Sequence, residues 1–461
     1  MTTTLPEPTA TTDRAASLPA VERHAVMPAG FRAGALAAGI KASGRPDLLL
    51  VTTTGGPAAA AAVFTPNAFA AAPVRRSRAN LATTSGDGRG GFGRALAVVS
   101  TSGCANAATG PLGDADQEAI GRLVAARLEI DEPHVLHLST GIIGTRLPLD
   151  RVATGLDSLI PRLADDDGSL EAAAAALRTT DSVTKLATTT VELPGDDAGT
   201  TVTITVSGMA KGVGMIHPNM ATMLSIVLTD AAAEPEVLWG LLRPAATRTW
   251  NQLTVDGDTS TNDTVFVLAS GAAGGPTVEA GSAAAAVLGS AIEAIARDLA
   301  RQQAADGEGA TILMTAAVSG ARDDADARAV ARAVVSSSLV KAAAHGKDPN
   351  WGRIAGAAGN ATLPGAAVLE ASGLDPATAA GRAGQPAELD PGRLRIAIAG
   401  HLVFDGAAGG PVTFDRAAAR AAMDAAEVVF ELDLGLGRGT GEAFGCDLTE
   451  AYVIENSEYT T

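Results

Sequence analysis

The sequence predicts an α/β protein in which helices cover β-sheets. Short β-rich runs such as Ala95–Ser100 (ALAVVS), His134–Ser139 (HVLHLS), Thr264–Ser270 (TVFVLAS) and the RLRIAIA run near the C-terminus alternate with Ala-rich helical patterns and turn residues. A length of 461 residues suffices for two or three compact domains with sizeable cores.

Composition narrows the function. The formal charge of −17, with no basic patch rich in aromatics, argues against nucleic acid as a partner. The two cysteines, Cys104 and Cys446, lack a second Cys or a His at metal-ligand spacing, so neither a zinc site nor a disulfide scaffold is expected, and a reducing cytoplasm fits. Residues 1–25 contain acids and prolines without an apolar core, which reads as a disordered leader and not as a signal peptide or anchor. No later run approaches the roughly 18 apolar residues of a membrane span.

Taken in order, alternating β-rich runs and turns occupy Val26 onward. Gly86–Gly93 (GDGRGGFG) matches a dinucleotide pattern, but it precedes a strand instead of following one, so it reads as a surface loop. A helix is expected from about Ala115 to Leu128, with Ile120, Val124, Ala125 and Leu128 at helical spacing. The HVLHLS strand then ends in Thr140-Gly141, where a hydroxyl and an adjacent backbone N–H can converge on one point as an oxyanion site; a plain glycine turn is the alternative.

The stretch Lys211–Leu224 (KGVGMIHPNMATML) carries the chemistry. A glycine-containing loop leads through Pro218 into a β-favouring run, bringing the hydroxyl of Thr222 to the mouth of a buried strand. Thr is a poor nucleophile unless a base adjoins it, and its own α-amine, with a pKa near ~8, serves when Thr begins a chain. Inside a chain this requires cleavage of the Ala221-Thr222 bond by attack of the Thr222 hydroxyl on the Ala221 carbonyl. An ordinary strand start is the alternative.

Downstream, Asp256, Asp258 and Asp263 lie in VDGDTSTND, where clustered carboxylates raise the question of a hard cation. A turn before a core strand is the preferred reading, and no metal is expected. A long Ala-rich helix over 283–303 breaks at Asp306-Gly307-Glu308-Gly309, and a carboxylate between glycines can approach another backbone closely. Its natural partner is the ammonium of a freed Thr222. His345 and Trp351 read as buried structural residues.

The Lys211–Leu224 stretch closely resembles the signature of the ornithine acetyltransferase (glutamate N-acetyltransferase) family, whose members cleave themselves before the Thr of an Ala-Thr-Met-Leu run. The Thr140-Gly141, LRTTDSVTKLA, Asp306–Thr311, His345–Gly359 and Gly445–Thr461 segments are similar to the same family, so the resemblance covers everything after the leader. It implies a sandwich of packed mixed β-sheets covered by helices, as in the related self-cleaving aminopeptidases of the DmpA type, with a smaller C-terminal domain. The corresponding division is 26–221 before the cut, 222–340 as the core carrying the nucleophile, and 341–461 as the smaller domain with the tail.

The resemblance also implies roles. Thr222 is the nucleophile, Thr140 and Gly141 the oxyanion pair, and Glu308 a catalytic and substrate-binding carboxylate. Thr180, Lys211, Asn456 and Thr461 bind substrate, Lys211 and the tail Asn answering a substrate carboxylate. The implied reaction moves an acetyl group from N-acetylornithine to glutamate, with no cofactor and an α2β2 assembly of the cleaved fragments; some members of the family also accept acetyl-CoA, which these residues leave open for this chain. Departures from the family at Cys104, Thr184, Gln252 and Ile312 leave open a paralogue with another amino acid substrate. A self-processing hydrolase and a non-catalytic binding protein are the other readings.

Overall fold

The computed structural model describes residues 13–195, 199–217 and 223–458. The first sheet contains β1 (Phe31–Leu36), β2 (Leu48–Thr53), β5 (Ala97–Cys104) and β6 (Val135–Ile142), in the order β1-β2-β5-β6. The second joins β3 (Ala58–Phe64), β4 (Phe92–Ala95), β7 (Lys185–Pro194), β8 (Thr201–Lys211), β9 (Leu224–Thr229) and β10 (Thr264–Ala269), in the order β4-β3-β10-β9-β8-β7. Each sheet is antiparallel except for one pair, β5 with β6 and β9 with β10. These are mixed sheets, as expected.

Strand alternation explains how the two sheets stack. Along β2, Leu49 and Val51 face a core shared with Ile226, Leu228 and Phe266 of the second sheet, whereas Leu48 and Leu50 face the helices Gly110–Leu128 and Leu149–Leu159 through Ile120, Val124, Val152 and Leu156. The second sheet divides likewise. Val227, Val265 and Val267 face away from the first sheet, onto the helices Pro235–Arg248 and Ala283–Ala305. The result is a four-layered helix, sheet, sheet, helix sandwich. Both faces of each sheet are covered, which is why strands such as LLLVTT read as continuous apolar runs.

A third sheet forms the smaller unit from β11 (Leu313–Ala321), β12 (Arg395–Ile398), β13 (His401–Asp405), β14 (Gly410–Pro411), β15 (Glu427–Asp433) and β16 (Gly439–Cys446), in the order β14-β13-β12-β15-β11-β16. The expected boundary at 341 is corrected by this pairing. It falls inside the helix Ser338–His345, and β11, well before it, is hydrogen-bonded to both β15 and β16. The layer therefore begins near Leu313.

The expected leader is corrected over residues 13–25, residues 1–12 lying outside the described residues. Residues 13–25 lie against the body, with Glu22 bridged to Thr188, Arg14 paired with Glu293 and Arg23 Nη2 2.9 Å from Asp298 Oδ1. The helix expected from Ala115 begins at Gly110, because Pro111 near its start already has the right φ and needs no N–H partner. The GDGRGGFG run leaves the helix Ala72–Ser85 in a turn, with Gly86 as its left-handed cap at φ 78°, and ends in the first two residues of β4. His345 and Trp351 are only partly buried: His345 Nδ1 lies 3.0 Å from Asp447, and Trp351 stacks on Phe404. Among the described residues, no helix is long and apolar enough to cross a membrane.

Candidate active site

The edge of the sandwich where β6 and β8 end opens into a cavity of about 120 Å³. Thr140, Gly141, Thr180, Lys211, Glu308 and Asn456 all line it. The sequence separates them by up to 316 positions, yet the ends of two strands, two loops and the C-terminal helix Glu450–Glu458 bring them together. Ala221 and Thr222, the expected cleavage pair and nucleophile, and Thr461 lie outside the described residues.

On one wall, Lys211 Nζ donates to Thr140 Oγ1 at 3.1 Å. Because an ammonium only donates, the Thr140 oxygen is the acceptor, and its own proton is left to offer to a negative oxygen in the cavity. Gly141, at φ 127°, is beyond the reach of other residues for a second reason. A Cβ there would sit 2.4 Å from the backbone carbon of Gly103 on the neighbouring strand.

Glu308 occupies the opposite wall. Its Oε1 accepts from the Thr180 hydroxyl at 3.0 Å and its Oε2 from Asn456 Nδ2 at 3.0 Å, while its backbone N–H donates to Val213 O at 2.8 Å. The backbone it approaches is Gly214: a Cβ on that glycine would lie 2.3 Å from Glu308 Oε2. Asn456 is held in turn by the docking of its helix on Gly309, whose carbonyl accepts from Thr449 Oγ1 at 2.8 Å. Whatever the tail's end does, its helix delivers a side chain to the site.

Behind the cavity runs a charged network that sequence reasoning missed. Buried Asp181 accepts from Lys185 Nζ at 2.7 Å and from the Gly212 N–H at 2.8 Å, and the same ammonium reaches Asp306 Oδ2 at 2.5 Å. Burial alone would raise the Asp181 pKa, but Lys185 and Lys211, with the Gly212 N–H, hold it well below the usual carboxylate range. This network ties the segments bearing Thr180, Lys211 and Glu308 to one another. Its signal was an Asp and a Lys four residues apart at the start of a buried strand. Asn262 was missed too; its amide donates to Ala105 O at 2.7 Å and Ser139 O at 2.8 Å, locking the 260–262 loop to β6.

The remaining sequence positions are structural. Asp256 accepts from the backbone N–H groups of Met215 at 2.6 Å and Ile216 at 2.9 Å, fixing the loop that leads toward Thr222. Asp263 is buried and its carboxyl is pushed well above its ordinary value, chiefly by burial. Among the described residues no His, Cys, Asp and Glu cluster suited to a metal occurs. Cys104 is buried with its Sγ 3.2 Å from Thr145 O, Thr184 Oγ1 accepts from Arg178 at 3.3 Å, Gln252 Nε2 donates to Thr247 O at 3.1 Å, and Ile312 packs in the third-sheet core. None of these departures lines the cavity.

The ArgJ family model matches residues 32–461, nearly the whole chain. The chain belongs to the ArgJ family. It is 45% identical over 437 residues to the arginine biosynthesis bifunctional protein ArgJ of Thermosynechococcus vestitus, covering 94% of this chain and 96% of that protein. The ArgJ of Thermus thermophilus, also called an arginine biosynthesis bifunctional protein, is 44% identical over 438 residues, covering 94% and 99%. Among solved structures, ornithine acetyltransferase of Mycobacterium tuberculosis, complexed with ornithine, is 40% identical over 44% of this chain and 99% of that one, with a TM-score of 0.38. A Bacillus halodurans argJ chain is 39% identical over 52% of this chain and 100% of its own, with a TM-score of 0.45.

Proposed function

We propose that this ArgJ family member is a self-cleaving glutamate N-acetyltransferase that moves acetyl groups from N-acetylornithine to glutamate. In maturation, the Thr222 hydroxyl attacks the Ala221 carbonyl, the peptide becomes an ester, and water releases residues 1–221 from a chain that now begins with Thr222. By share of the 45.9 kDa total, the fragments weigh about 22 and 24 kDa. They stay associated, and the cleaved pair forms an α2β2 assembly.

In turnover, the Thr222 α-amine takes the hydroxyl proton as the oxygen attacks the acetyl carbonyl of N-acetylornithine. The Thr140 hydroxyl and the Gly141 N–H stabilise the tetrahedral oxyanion, and ornithine leaves as its amine takes up the proton. Glutamate's amine then attacks the acetyl ester, N-acetylglutamate departs, and the Thr222 hydroxyl is restored. Glu308 receives an ammonium, from Thr222 or from substrate; Lys211 and Asn456 answer the substrate carboxylate. No cofactor enters the cycle. Acetyl-CoA is a second acetyl donor in this reading, in keeping with the word bifunctional in the relatives' names.

The observation that carries the reading is the convergence of Thr140, Gly141, Thr180, Lys211, Glu308 and Asn456 on one small cavity bordered by the loop that leads to Thr222. The test incubates the protein with N-acetylornithine and glutamate and follows both products. N-acetylglutamate should appear in step with ornithine. Free acetate in place of N-acetylglutamate, with ample glutamate present, would identify a hydrolase and overturn the transferase.

A further inference from the structure

A second cavity, of about 440 Å³, lies across the Val213–His217 segment from the first. Met215 lines the smaller cavity and His217 the larger, so one short segment walls both. A volume in this range suits a small organic ligand.

Its lining is unusual for so acidic a chain. Arg328, Arg332 and Ser336 stand four residues apart on one face of the helix Asp324–Ser336 and line the cavity, opposite Asn360, Thr362 and His217. No Asp or Glu is among the described lining residues, although the chain carries 51 acids against 34 bases. Arg328 is only 8% exposed, and its nearest carboxylate, Asp324 on the same helix, is 4.0 Å away and largely solvated. Arg332 Nε and Ser336 Oγ are buried with no hydrogen-bond partner.

Arg328 is buried and Arg332 partly buried with its Nε sealed from solvent, and neither has a close, buried carboxylate partner, which is costly because folded proteins ordinarily pair such charges. Burial pushes both down to about 10, still leaving them cationic at neutral pH. His217, held to about 4 by burial and by the charge of Arg332, is neutral there. Its Nδ1 is already engaged with Thr254 Oγ1 at 3.0 Å. The arginines are therefore the positive charges facing the cavity, and a planar fork of donors matches the oxygens of a carboxylate or phosphate.

We infer that this cavity is a second ligand site, distinct from the acyl-transfer site, for a small oxyanion of about two negative charges, a phosphate or a dicarboxylate, held by Arg328 and Arg332 with Ser336 as a further donor. The inference stands independently of the acetyl-transfer reading.

The experiment measures calorimetric binding and thermal shift of the purified protein with inorganic phosphate and, separately, with succinate. Variants Arg332→Met, Arg332→Lys and Lys211→Met are measured alongside. Saturable binding of at least one probe at one site per chain is expected. Lys211→Met should retain it, Arg332→Met should weaken it about tenfold or more, and Arg332→Lys should fall between. Preference for phosphate or for succinate assigns the anion's source. Without ligand, Arg332→Met should melt at or above the parent temperature, since it removes a partly buried charge that has no carboxylate partner; a lower melting temperature would make Arg332 a structural residue and contradict the site. Binding of neither probe, binding that survives Arg332→Met, or binding lost in Lys211→Met would each overturn the inference.

Discussion

At the scale of single residues, the proposed function divides the site into a wall that stabilises negative charge and one that receives positive charge. The first rests on Thr140, whose oxygen accepts from Lys211 and whose proton is left for the substrate. Thr140→Val should lower kcat about 100- to 1,000-fold with little change in KM, because the lost donor acts mainly in the transition state; steady-state kinetics on N-acetylornithine checks it. The second rests on Glu308. Glu308→Gln removes the charge but keeps the shape, and kcat/KM should fall about 10- to 100-fold, in line with the loss of a charge-assisted hydrogen bond. Gly214→Ala is the sharper variant. Its methyl would fall 2.3 Å from Glu308 Oε2, so the flexible carboxylate must swing away. Activity should drop as in Glu308→Gln while the melting temperature changes little. A large loss of stability with activity intact would show that the glycine serves the loop and not the carboxylate.

At the scale of elements, strand ends and loops are held in register by the Asp181, Lys185 and Asp306 network. Asp181→Asn leaves Lys185 with one carboxylate fewer in a buried setting and should destabilise the protein by about 3 kcal/mol, read as denaturant midpoint at constant slope. The pH dependence follows from the direction of the shift. The folded pKa of Asp181 lies below its unfolded value of about 4, so its stabilisation is complete above that value and is lost as pH falls further toward the folded one. Asp181→Asn should therefore flatten the acid limb of the stability curve. The residue types were visible in the sequence, as was the strand they precede. What could not be read locally was the partner: Asp306 lies 121 positions from Lys185, and only the sandwich brings the two together.

For the whole molecule, the alternation of strands and helices made the α/β class legible, because residues such as Leu48 to Val51 must be buried whichever way they face. The same continuity hid the layering, since a run apolar on both faces does not say which neighbour covers each. The leader misled for a related reason. Arg14 and Arg23 look like ordinary solvated charges, yet their partners, Glu293 and Asp298, are 279 and 275 positions away. The C-terminal unit was placed too late because β11 looks like the end of the preceding core until its hydrogen bonds to β15 and β16 are seen. Asn456 and Glu308, by contrast, were legible through the segments around them, and they meet at 3.0 Å. In the proposed function the chain cuts itself at Thr222 to make its own nucleophile. Intact mass under denaturing conditions tests it directly, on the parent protein and on Thr222→Ala. Two fragments of about 22 and 24 kDa from the parent, by share of 45.9 kDa, and one uncut chain from the variant are predicted; a parent that stays whole would contradict the claim.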